Sequence, residues 1–89
     1  MIKNCKHKIS KKSFQNLCKE KLDYLKLQLC RNDIEELIYD LSICRDEKID
    51  YVAMHSYTSS TTVKRIMKKF YNRVYNLPAE VFNYIFDTF

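Results

Sequence analysis

The side chains able to do chemistry are few and scattered. Cys5, Cys18, Cys30 and Cys44 stand at wide intervals with no Cys-x-x-Cys pair, the spacing that metal sites and redox motifs use. Cys5 and His7 are close enough to share a metal, but two further ligands at workable spacing are missing, so neither metal nor cofactor is expected. His55 has no partner in sequence that would make it a base, and a cysteine paired with it as nucleophile has no local signature. Asp33, Glu35, Glu36 and Asp40 read as a solvated helix face. The chain has no Gly, one Pro and no Trp, so it lacks the loops that cradle phosphates. These residues predict a protein that is not an enzyme.

Charge offers a second chemistry. Residues 1–12 carry five lysines and no acid, whereas the remaining bases and acids balance, which accounts for the net charge of +5. Such an arm suits an anionic surface, but it has no Arg and no aromatic residue to stack on bases, and reads as a solvated terminus. Further on, Lys64, Arg65, Lys68, Lys69 and Arg73 form a basic helix face that could lie on phosphates, with Tyr71 and Tyr75 available for stacking. The competing reading is an ordinary wet face opposite a core stripe. No helix-turn-helix signature accompanies it.

The elements that must position these residues are helical. Hydrophobic residues make up 46% and charged residues 30%, which fits one ordered domain too small for a core plus an elaborate cleft. Ser13 is a candidate N-cap for a helix with apolar residues Phe14, Leu17, Cys18, Leu22, Leu25 and Leu29 on one face. Asn32 with Glu35 resembles a capping box opening a second helix, whose apolar set is Ile34, Leu37, Ile38 and Leu41. The short connection between these two helices predicts antiparallel neighbours. Ile49, Val52, Ala53 and Tyr57 give a short third helix. The hydroxyl-rich residues 58–62 give a loop and an N-cap, and Val63, Ile66, Met67, Phe70 and Val74 give a further amphipathic helix. Pro78 interrupts it and suits the start of a last one. The fold class expected is all-α, a small bundle of four to five amphipathic helices. Cys18, Cys30 and Cys44 fall on or beside apolar positions and are expected as reduced core thiols. No run approaches a membrane span and no signal-like apolar run opens the chain, which predicts an intracellular, cytoplasmic protein away from membranes.

The last helix carries the sharpest signal. In residues 77–89, Val81, Ile85 and Phe89 form one stripe, while Phe82 and Phe86 form a second. A small domain buries one stripe and leaves the other for a partner, unless both enter its own core. Leu77, Pro78, Glu80, Val81, Ile85, Phe86 and Phe89 match the opening of an F-box, and the segment resembles one. Its placement is similar to the PRANC domain that closes many poxviral ankyrin-repeat proteins. Residues 17–26 and 34–41 resemble that domain's opening pattern and second helix, and residues 64–75 occupy the place before the F-box.

Beyond the basic arm over 1–12, the resemblance implies a PRANC-like helical domain over 13–89 that ends in an F-box-like helix. It implies docking to the Skp-type adaptor of a cullin-RING ubiquitin ligase, in the host cell if the source is viral. Leu77 and Pro78 would fix the helix entry and touch the adaptor, Glu80 would cap or orient, and Val81, Ile85 and Phe89 would supply apolar contacts, with Phe82 and Phe86 beside them. Two departures follow: the chain stops after the first F-box helix, and it carries no ankyrin repeats. Target recruitment is therefore not implied, and competition for the adaptor is the alternative to recruitment.

Overall fold

The computed structural model describes residues 11–86. Among them are six α-helices and no strand: α1 (Lys11–Gln15), α2 (Lys19–Leu29), α3 (Asp33–Tyr39), α4 (Ile49–His55), α5 (Ser60–Tyr75) and α6 (Ala79–Phe86). The fold is thus the expected all-α bundle. Cys5, His7 and the lysines at 3, 6 and 8 lie outside the described residues, as does Phe89.

α5 is the longest helix, and its sequence explains its role. Ser59 accepts the Thr62 N–H at 3.1 Å as N-cap. Val63, Ile66, Phe70 and Val74 recur at helical spacing, and all four are buried. Against this stripe pack α2, α3 and α4, while α6 lies on α2. The core is completed by Leu25, Leu29, Ile38, Ile43, Val52 and Ile85, all essentially inaccessible to water.

Three expectations about helix boundaries need correction. The first concerns the single helix expected from Ser13 to Leu29, which is two helices. Leu17 N–H folds back onto the Phe14 carbonyl at 3.0 Å, Cys18 is extended, and α2 starts after it. Ser13 consequently lies inside α1. The break lets Phe14 leave the α2 stripe and bury its ring against Tyr71 (5.6 Å) and Phe86 (6.1 Å). Tertiary packing here outweighs a local pattern that would have run on.

The second correction concerns α3. Asn32 does cap it, accepting the Glu35 N–H at 2.9 Å, but Ile34 and Leu37 are partly exposed, whereas Glu35, Ile38 and Tyr39 face inward. Beyond Tyr39 the helix widens into a π turn over Asp40–Cys44, where the Arg45 N–H donates to the Asp40 carbonyl. The wider turn carries Leu41, Ser42 and Ile43 into the core together. α1 and α4 both rest on it.

The third is Tyr57, expected on the apolar face of α4. It instead adopts a left-handed conformation (φ 58°) just past the helix and is 94% exposed. The Thr58 N–H reaches the Ala53 carbonyl at 3.0 Å and the Tyr57 N–H reaches Met54 at 3.4 Å, a Schellman closure made without glycine. Asp46 makes the same left-handed exit (φ 57°) after the π turn.

Among the described residues Cys18, Cys30 and Cys44 are free but do not fill the core as expected. Cys18 and Cys44 are exposed because each stands at a helix end, and Cys30, which follows α2, is half-buried. Burial first, then the nearby carboxylates of Glu35 and Glu36, push the Cys30 thiol up to about 12. It is therefore protonated at neutral pH.

Candidate functional site

Two surfaces and one internal network contain most of the described residues singled out by the sequence. The first surface is the corner between α5 and α6. Asn76 closes α5, the Leu77 N–H bonds the Val74 carbonyl at 3.2 Å, and Pro78 begins the new direction. The Pro78 carbonyl accepts the Phe82 N–H at 2.9 Å, so the proline sits at the cap, one residue before the position expected for it. Pro78 and Glu80 are exposed, and Leu77, Val81 and Phe82 are half-buried.

Burial deepens along α6. Ile85 is fully buried and Phe86 nearly so, with Phe86 4.8 Å from Phe82 and 6.1 Å from Phe14 between ring centres. Tyr84 turns outward, edge-on to Tyr24 at 5.4 Å and beneath the Lys21 ammonium. The residues expected to meet a partner therefore divide. Leu77, Pro78, Glu80, Val81 and Phe82 reach the surface, whereas Ile85 and Phe86 belong to this chain's own core.

The second surface is the outer face of α5. Lys64, Arg65, Lys68 and Lys69 are exposed there. They divide into two flanks: Lys64 and Lys68 border a groove beside the π turn and the start of α4, while Arg65 and Lys69 border a cleft beside the start of α3. That cleft also holds Asp33 and Glu35, so its charge is mixed.

Arg73 is not part of this wet face, and its expected place there is corrected. It follows Ile66 by two helical turns and so falls on the inward side of α5. Its Nη1 donates to the Leu29 carbonyl at 2.6 Å and to Glu35 Oε1 at 2.7 Å. Glu35 also accepts the Arg31 N–H at 2.8 Å and is only 6% exposed. The reading of Glu35 as a solvated acid is corrected with it. The pair ties the end of α2, the start of α3 and the end of α5 into one knot. A signal was present in the sequence: an acid three residues before Ile38 and a base seven after Ile66 both occupy core-facing positions.

Burial alone would raise the Glu35 pKa. The Arg73 guanidinium and the Arg31 N–H more than reverse this and hold the carboxyl below its ordinary value. A second cross-link joins Lys26 to Asp40 at 3.0 Å; the hydrogen bond that the ammonium donates to the Asp40 carboxylate keeps its pKa raised. Tyr39 donates its hydroxyl to the Leu22 carbonyl at 2.7 Å, and burial pushes its phenol far up. These polar groups are braces between helices.

No group of three or more His, Cys, Asp or Glu side chains among the described residues is arranged to hold a metal. His55 stacks on Tyr51 with ring centres 4.1 Å apart. Among the described residues no helix is long and apolar enough to cross a membrane. Comparison with protein-family models, with curated proteins and with solved structures finds no match.

Proposed function

We propose that the chain is a docking module that engages the Skp-type adaptor of a cullin-RING ubiquitin ligase, in the host cytoplasm if the source is viral. The observation carrying this reading is the display of the F-box-like Leu77-Pro78-Ala79-Glu80 corner at the surface, ahead of a helix anchored by its far end. Leu77, Val81 and Phe82 offer a half-exposed apolar edge, Pro78 fixes the entry angle, and Glu80 sets charge beside it. Ile85 and Phe86 hold the helix to the bundle, so docking uses the corner of α6 and leaves its inner face in place. Binding an adaptor through such an edge requires no catalytic group.

Titration of a purified Skp-type adaptor with the whole chain tests the proposal. Wild type should bind saturably. Pro78→Ala combined with Glu80→Arg and Val81→Asp should abolish binding while helix content by circular dichroism persists. Equal affinity in the triple variant, or no binding by wild type, would overturn it. Ile85→Asp is unsuited to the test, because a carboxylate at a fully buried position attacks the fold itself. In a reconstituted ligase, loss of ubiquitination of an established substrate identifies a competitor, and gain of a new substrate a recruiter.

A second reading, nucleic-acid binding, is favoured by the exposure of Lys64, Arg65, Lys68 and Lys69 on one helix. It does without Arg73, which is engaged internally. Retention on heparin and affinity that falls steeply with salt are the expected signs.

A further inference from the structure

The groove bounded by α5, the π turn and the first residue of α4 has a chemistry distinct from the α6 corner. Its volume is about 350 Å³, toward the low end for ligand pockets and suited to a few side chains rather than a folded domain. Val63 forms its buried base, with the half-buried Met67 and Tyr71 above it and the partly exposed Ile49 opposite. Met67 is an adaptable lining residue, since its thioether chain repacks at low cost. The Ser42 hydroxyl is already committed, donating to the Ile38 carbonyl and lying 3.0 Å from the Met67 sulfur.

Charge selects the occupant. Lys64 and Lys68 stand one turn apart along the groove's outer margin, exposed and without an ion pair among the described residues. The only acid lining the groove, Glu47, is answered by Arg45 at 3.2 Å. The margin is thus net positive above an apolar floor. Residues 1–12 of this chain do not suit it, because they carry five lysines and no acid. A nucleic-acid backbone uses the cations but not the floor, and it would need a continuous track, whereas Arg65 and Lys69 border the other flank beside Asp33 and Glu35.

We propose that this groove binds a short acidic-apolar peptide segment of a partner protein, seating apolar side chains on Val63, Met67, Tyr71 and Ile49 while its carboxylates meet Lys64 and Lys68. The proposal stands apart from adaptor docking at the α6 corner, and its residues are separate from those tested there.

The test is fluorescence anisotropy with the whole chain and a labelled peptide alternating Asp with Leu and Phe. Two companions are used, one with Lys in place of Asp and one with Ser in place of Leu and Phe. The first peptide should bind saturably and both companions should bind at least about tenfold more weakly. Lys64→Glu with Lys68→Glu should weaken the first peptide by a similar factor. Arg65→Glu with Lys69→Glu changes net charge equally on the other flank and should leave it nearly unchanged. Amide shifts should concentrate at the groove. Absence of saturable binding would overturn the proposal, as would equal binding of the Ser companion or equal weakening by both charge reversals. Displacement of the peptide by duplex DNA with the same response to both reversals would assign the face to nucleic acid. Groove shifts that track protein concentration without peptide would assign it to a second copy of the chain.

Discussion

At neutral pH Glu35 is held as a carboxylate in a place where burial by itself favours the acid form. Two donors, the Arg73 guanidinium and the Arg31 N–H, make the difference. Its pKa is lowered on folding, so its contribution to stability is full above the ordinary glutamate value of about 4.3. That contribution is lost as the pH falls below this value and through the lower folded one. Glu35→Gln should cost about 2–3 kcal/mol at neutral pH, the pair being partly buried and Arg73 left without its carboxylate. In acid the gap from wild type should shrink. Melting temperatures of both proteins from neutral to acid pH check this, and a constant gap would show that the charge on Glu35 contributes nothing.

Elements were legible from the sequence where one face is apolar throughout and a side chain marks the start. α5 is the clearest case, with its Ser59 cap and its four buried stripe residues. Legibility failed where a core position holds a charge or where a helix stops without glycine or proline. Glu35 and Arg73 read as surface residues by their charge, although their spacing puts them on core-facing positions, and the break at Leu17 follows from where Phe14 is buried. The corner at Pro78 was legible, but the depth to which Ile85 and Phe86 enter this chain's own core was not, because both stripes of α6 read alike in one dimension. Tyr57 shows the cost of a chain without glycine. A bulky residue in the left-handed region carries a penalty of about 1 kcal/mol that glycine avoids. Tyr57→Gly should therefore raise stability by a few tenths to about 1 kcal/mol, after the greater unfolded-state freedom of glycine is offset. Chemical denaturation curves measure it, and a loss of stability would mean that the exposed ring makes a contact of value.

Across the whole molecule, the core depends on pairs distant in sequence. Phe14 from α1, Tyr71 from α5 and Phe86 from α6 share one aromatic cluster, so the first and last described helices meet there. Phe14→Ala empties the centre of that cluster and should cost about 3–5 kcal/mol. For a domain of this size that is a large part of the total stability. A fall in melting temperature and loss of amide protection in α6 as well as α1 are expected; protection retained in α6 would show that it is anchored independently. The same meeting has a consequence for biosynthesis. Phe86 leaves the ribosome some seventy residues after Phe14 (numbered positions 14 and 86). Until α6 has cleared the exit tunnel, the α1 ring lacks one of its two ring partners and the side of α2 that α6 covers stays open. Closure of this bundle therefore waits for α6, and chaperones that shelter nascent apolar segments have their chance in that interval.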